Sequence, residues 1–147
     1  MNWITPKTDW TYEYDVAEDY LRDYLNIEDY NRIKNNLNYL QIIASDLFPP
    51  YNFVVLGADK TYEDWWYADE FNKLEEVVEK LRKLTPPSTQ VLIGNRMTFF
   101  DNGKIIDYVE LNRLENATLL LHDYFDSIIR GAFRTQFRAG VRTFINI

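Results

Sequence analysis

Apolar residues recur at steps of three and four in three separate stretches of the chain. In the first, Tyr30, Ile33, Leu37 and Leu40 share a stripe that Ala44 and Leu47 extend. In the second, Phe71, Leu74, Val77 or Val78, Leu81 and Leu84 do the same, and in the third Leu111, Leu114, Thr118, Leu121 and Phe125. This period predicts amphipathic helices at about 26–48, 68–85 and 107–130. Start signals agree with it. Asn26 with Asp29 resembles a capping pair, Asp107 with Glu110 is closer to a capping box, and Asp69 and Glu70 suit a first turn. Pro49-Pro50 and Pro86-Pro87 read as stops for the first two helices, and Gly131 as the residue just past the third.

The stretches between have a different rhythm. Residues 51–57 (YNFVVLG) and 90–94 (QVLIG) are short apolar runs closed by turn residues. Met97 to Phe100 precede Asp101-Asn102-Gly103-Lys104, a turn signal that predicts a small hairpin from about 91 to 106. Residues 9–14 alternate like a strand, and 15–24 suit a short helix. In the last stretch, Arg130, Arg134, Arg138 and Arg142 are four apart, a spacing that fits one face of a helix or of a strand. Gly131 and Gly140 argue against one long helix, and the β-branched and aromatic positions favour an extended, Arg-rich ending over 132–147.

The helices are also alike in sequence. Asp29-Tyr30-Asn31-Arg32-Ile33, Glu70-Phe71-Asn72-Lys73-Leu74 and Glu110-Leu111-Asn112-Arg113-Leu114 share one order: acid, large apolar, Asn, base, Ile or Leu. Their asparagines stand 41 and 40 residues apart. A near-constant period of this length is the mark of a repeated unit that buries its apolar face against its neighbours. The expected fold is therefore mainly α: three repeats of about 40 residues, each a strand-like or hairpin lead-in plus a helix of about 20, packed as one small bundle over 1–147. A compact α+β arrangement is the alternative if the lead-ins share a sheet. For Asn31, Asn72 and Asn112, bonds to the backbone of a neighbouring loop weigh more than ligand binding. Arg32, Lys73 and Arg113 are expected to pair with an acid of a neighbouring copy.

Composition narrows the chemistry. The 147 residues include no cysteine and one histidine, His122, so disulfides, thiolate chemistry and multi-His metal sites are excluded. His122 is expected to pair with Asp126 on the helix surface. No phosphate-binding glycine loop and no nucleophile elbow occurs. Carboxylates are plentiful, but nothing singles out a catalytic pair, a metal site or a cofactor site. The start of the chain lacks the basic and apolar stretches of a secretory signal, and no run of about 18 apolar residues spans a membrane. The net charge is −7, which disfavours nucleic acid as a partner. Residues 1–87 carry 17 acids and 9 bases, whereas residues 127–147 carry four arginines and no acid. That tail suits an acidic surface, on its own chain or a neighbour. With Trp3 and Trp10 it forms the expected docking set. Trp65 and Trp66 are the candidates for stacking on sugars.

The opening Pro6-Lys7-Thr8-Asp9-Trp10-Thr11 and the repeated Asp-x-Asn-Arg-Ile helix starts support a resemblance. The chain resembles small virion-associated proteins of phages and prophages of Gram-positive bacteria, which carry a repeated D-x-N-R-I-E-x-N helix start, often after K-T-D-W. The second copy departs from the pattern, with Lys73 for Arg and Glu76 for the later Asn. Such proteins are usually encoded among tail and baseplate genes. The resemblance implies a non-enzymatic assembly role within the virion, with other virion proteins and copies of itself as partners. It names no active site. The alternative from the residues is a carbohydrate-binding module that reads host cell-wall glycan through its tryptophans.

Overall fold

The computed structural model describes residues 2–13, 21–22, 25–65, 67–103 and 106–139. Among them the protein is mainly helical and packs as a small bundle. The helices are α1 (Ile27–Leu47), α2 (Ala68–Arg82), α3 (Pro87–Ile93) and α4 (Tyr108–Ala139). A two-residue antiparallel ladder joins β1 (Tyr12–Glu13) to β2 (Leu21–Arg22).

Helix starts follow local chemistry. The Asn26 side chain accepts from the Asp29 N–H at 2.8 Å, and Asp29 accepts from the Asn26 N–H in return. Asp107 accepts from the N–H groups of Val109 and Glu110. At α2 the Glu70 carboxylate accepts from the Tyr67 N–H at 3.2 Å. Each arrangement satisfies N–H groups that a helix leaves unpaired in its first turn.

The stripes read from the sequence form the core. Tyr30, Phe71 and Leu111 are buried, as are Ile33, Leu74 and Leu114, and Leu40, Leu81 and Leu121. Each buried aliphatic or aromatic side chain contributes on the order of 1.5–3 kcal/mol by leaving water. Tyr30 meets Phe71 edge-on at 5.8 Å between ring centres, and Phe48 meets Phe125 at 6.0 Å. The first contact lies near the helix starts and the second near the end of α1.

The connecting segments set the direction of the helices. After α1 the chain doubles back along it: Tyr51 and Val54 bond to Gln41, Gly57 and Asp59 to Lys34, Lys60 to Asn31, and Tyr62 to Glu28. After α2, Gln90 bonds to Arg82 and Phe99 to Asn72. The N-terminal segment runs down α4 in the same way, with Trp3 on His122 and Trp10 on Asn112. Each segment thus returns to the start of its helix before the next begins, and α1, α2 and α4 point the same way. We call these returning segments straps.

Several expectations are corrected. The run 51–57 is irregular, because its backbone bonds to the Gln41 side chain and not to another strand. Residues 90–93 belong to α3, where Pro87 sits in the first turn, so Pro86-Pro87 opens a helix there. Helix α2 stops earlier, at a tightened turn in which Leu84 and Thr85 N–H bond to Leu81 and Arg82 carbonyls. The turn at 101–103 is present, with the Gly103 N–H on the Phe100 carbonyl, but among the described residues no strand of the expected 91–106 hairpin flanks it. Phe99 instead pairs with Asn72. Leu21–Arg22 is a strand, so no single helix covers 15–24. Gly131 lies inside α4, and residues 132–139 are helical, not extended. A glycine in a helix interior costs only about 1 kcal/mol. Residues 14–20 and 140–147 lie outside the described residues.

Candidate functional site

The residues that stand out in the sequence meet where straps cross helix starts. Asn31 accepts from the Lys60 N–H at 2.8 Å and donates to the Lys60 carbonyl at 3.0 Å. Asn72 treats Phe99 alike, at 2.7 and 2.8 Å. Asn112 holds Trp10 with two bonds of 2.8 Å. A carboxamide offers one acceptor and two donors from one planar group, so it can pair with both polar groups of a single residue as a β-strand would. Two residues outside the repeated motif do the same. Asn36 grips Ile4, and Gln41 grips Val54. These joints replace sheet hydrogen bonds for straps that have no strand beside them.

The bases of the motif link the helices directly. Arg32 on α1 sends Nε and Nη2 to Glu115 Oε1 on α4, at 3.0 and 2.7 Å, and Nη1 to Asp29 at 2.6 Å. Arg113 on α4 pairs with Glu75 on α2. Glu115 also accepts from the Trp10 indole N–H. Glu75 and Glu115 occupy the same place, three residues after Asn72 and Asn112. In α1 that place holds Lys34, which is buried and reaches Asp59 at 2.5 Å and the Gly57 carbonyl at 3.3 Å. Lys73, the base of the second motif and the counterpart of Arg32 and Arg113, faces solvent.

Burial pushes the Glu75 and Glu115 carboxyls above the ordinary glutamate range, while Arg113 pulls Glu75 down and Trp10 and Arg32 pull Glu115 down. Burial opposes the Arg32 charge, but its bonds to Glu115 and Asp29 win and raise its pKa. The Tyr30 hydroxyl is pushed up to about 12, by burial first and then by Glu70 and Asp69.

The expected docking set separates. Trp10 is 3% exposed and fixed by Asn112 and Glu115, so it belongs to the core and cannot dock. Trp3 is half-buried, stacked on His122 with centres 4.1 Å apart and planes 16° apart. His122 therefore packs under a strap, and Asp126 pairs with Arg130 at 2.8 Å instead. Arg130 is at the surface. Arg134 and Arg138 lie on α4, and Arg142 lies outside the described residues. Trp65 is exposed, and Trp66 lies outside the described residues.

Sequence reasoning missed Lys34, Asn36, Gln41, Glu75 and Glu115. The two glutamates carried a usable signal, an acid three residues after the repeated asparagine. No helix of the described residues is long and apolar enough to cross a membrane. In comparisons with known proteins, no family model, no curated protein and no solved structure matches the chain.

Proposed function

We propose that this protein is a non-enzymatic structural subunit of a phage particle, in the tail tip or baseplate, working by docking onto other virion proteins and onto copies of itself. The three aligned segments are read as copies of one unit, a strap and a helix. Each copy grips the strap of the next, and the third grips the strap of the first. The observation that supports this reading is the same two-bond joint at Asn31, Asn72 and Asn112. The motif that resembles the phage proteins is used for stiffness. Its asparagines fix straps, and its arginines tie α1 to α4 and α4 to α2. A particle subunit needs a body that keeps its shape while its surface engages neighbours.

Antibody labelling of particles released by the bacterium that encodes the chain tests the proposal. Label at the tail end of purified particles is the expected result. Particles that lack the chain overturn it.

One observation favours a second reading, a module that binds host cell-wall glycan. Trp65 is 77% exposed, near exposed Tyr62 and Tyr67 in the strap before α2. Flat exposed rings stack on sugars. Binding of purified cell wall that disappears in Trp65→Ala, with the melting temperature unchanged, supports this reading. Equal binding by both chains rejects it.

A further inference from the structure

The three straps are gripped alike by Asn31, Asn72 and Asn112, but the helix residue three positions farther on treats each strap differently. In α1 that residue is Lys34, and its ammonium bonds the strap residues Asp59 and Gly57. In α4 it is Glu115. Its Oε1 takes Arg32, and its Oε2 takes the indole N–H of Trp10, the strap residue that Asn112 grips. In α2 it is Glu75. One oxygen takes Arg113, and the other, Oε2, has no hydrogen-bond partner among the described residues, although Glu75 is fully buried.

One strap residue accounts for the difference. Asn72 grips Phe99 where Asn112 grips Trp10. A phenyl ring has no N–H, so the bond that Glu115 receives is missing at Glu75. The strap still covers the carboxyl. The Met97 N–H and the Arg96 charge both act on it, but neither gives Oε2 a hydrogen bond. Arg96 Nη2 reaches the Asn72 carbonyl instead, at 3.4 Å. A polar atom buried without a partner has given up water for nothing. Closing the first strap satisfies Glu115, whereas closing this one strips Glu75 Oε2 of water. The same strap has a bend at each end. Gly94, at φ 81°, ends α3, and Asn102, at φ 59°, shapes the turn at 101–103. Residues at such points can absorb the backbone change of a hinge.

We propose that the strap over α2, residues 94–103, is a lid that lifts at Phe99 while the other two straps stay closed, and that lifting lets water reach Glu75 Oε2. This goes beyond the assembly role and does not depend on it. Lifting breaks the Asn72–Phe99 joint and takes a buried ring out of the core, so the closed form is the resting state. The open form bares Phe99 and the Glu75–Arg113 pair between α2 and α4 while the rest of the bundle stays folded.

Amide hydrogen exchange of the full chain, read by NMR, tests this. Phe99 and Trp10 are held by the same carboxamide joint, so each strap serves as the control for the other. The Phe99 amide should be less protected than the Trp10 amide by about tenfold or more, the effect of one orphaned buried group. Trp10→Phe should orphan Glu115 Oε2 and bring the residue 10 amide down toward the level of Phe99. The exchange Trp10→Phe/Phe99→Trp should reverse the order of the two straps, because the indole donor then sits over Glu75. Circular dichroism melting checks that each variant is folded, and Trp10→Phe alone decides the matter if the larger ring at 99 prevents folding. Equal protection of the two amides in the wild-type chain overturns the proposal. So does a Trp10→Phe chain, folded, in which residue 10 keeps its protection, because the missing indole bond would then not be what frees a strap.

Discussion

Asn112 and Trp10 lie 102 positions apart, yet one carboxamide satisfies both backbone polar groups of the tryptophan. This joint fastens the first strap to the last helix. Asn112→Ala leaves an N–H and a carbonyl of a buried residue without partners. The expected loss is about 2–6 kcal/mol, at 1–3 for each orphaned group, measured by urea unfolding. Asn112→Asp is a sharper test. It keeps the acceptor for the Trp10 N–H but turns a carboxylate oxygen toward the Trp10 carbonyl. It should be at least as destabilising as alanine at neutral pH.

Arg32 and Glu115 form a second joint, with side chains 15% and 1% exposed. Removing one partner strands the other charge out of water. Arg32→Met should cost about 3 kcal/mol or more. The double variant Arg32→Met/Glu115→Leu should cost clearly less than the sum of the singles, because the charge at the buried Glu115 position is no longer stranded, although Asp29 and the Trp10 indole N–H still lose a partner. A double-mutant cycle by denaturant unfolding reads this coupling. Additive losses would show that the pair does not act as a unit.

Stability should fall as pH rises above the ordinary glutamate value of 4.5, through Glu75 and Glu115. Both carboxyls are raised in the folded chain, by burial first. The native state therefore holds these protons more tightly than the unfolded chain, and the advantage is lost as pH climbs through the folded values. Asp59 works the other way. Its bond to Lys34 lowers its pKa, so its contribution is present above 3.8 and lost as pH falls through its folded value. Melting temperatures from pH 3 to 8 should show both slopes. Glu75→Gln should flatten the descending one, and Asp59→Asn the acid one.

Phe99 shows the same dependence for the loop before α4. Its backbone is held by Asn72 and its ring lies 5.9 Å from Phe71. Asn72→Ala should speed hydrogen exchange at the Phe99 amide by roughly tenfold or more, the equivalent of about 1.4 kcal/mol of local opening. Unchanged protection at Phe99 would mean that the ring contact alone secures the strap.

The helices were legible because their apolar period and their caps, at Asn26 and Asp107, are written in side-chain types. The repeated asparagines and arginines were legible through their alignment. Their partners were not. Lys60, Phe99 and Trp10 are gripped by their backbone, and nothing about a lysine, a phenylalanine and a tryptophan announces a shared role. The straps misled for a related reason. Residues 51–57 carry the apolar run of a strand, but the group that pairs with Val54 is the side chain of Gln41. Arg130, Arg134 and Arg138 fit two periods equally, and only the course of α4 decides between them. Pro87 illustrates the last failure. A proline stops one helix and starts another with the same ring, and the residues around it do not say which.

The Asn112–Trp10 joint also orders events on the ribosome. Trp10 is made early, and the side chain that secures it follows 102 residues later. At synthesis rates of about 5–20 residues per second, the first strap waits roughly 5–20 seconds for its seat. Until then an indole and two backbone polar groups lie open to other proteins. A nascent chain that stalls before α4 keeps them open.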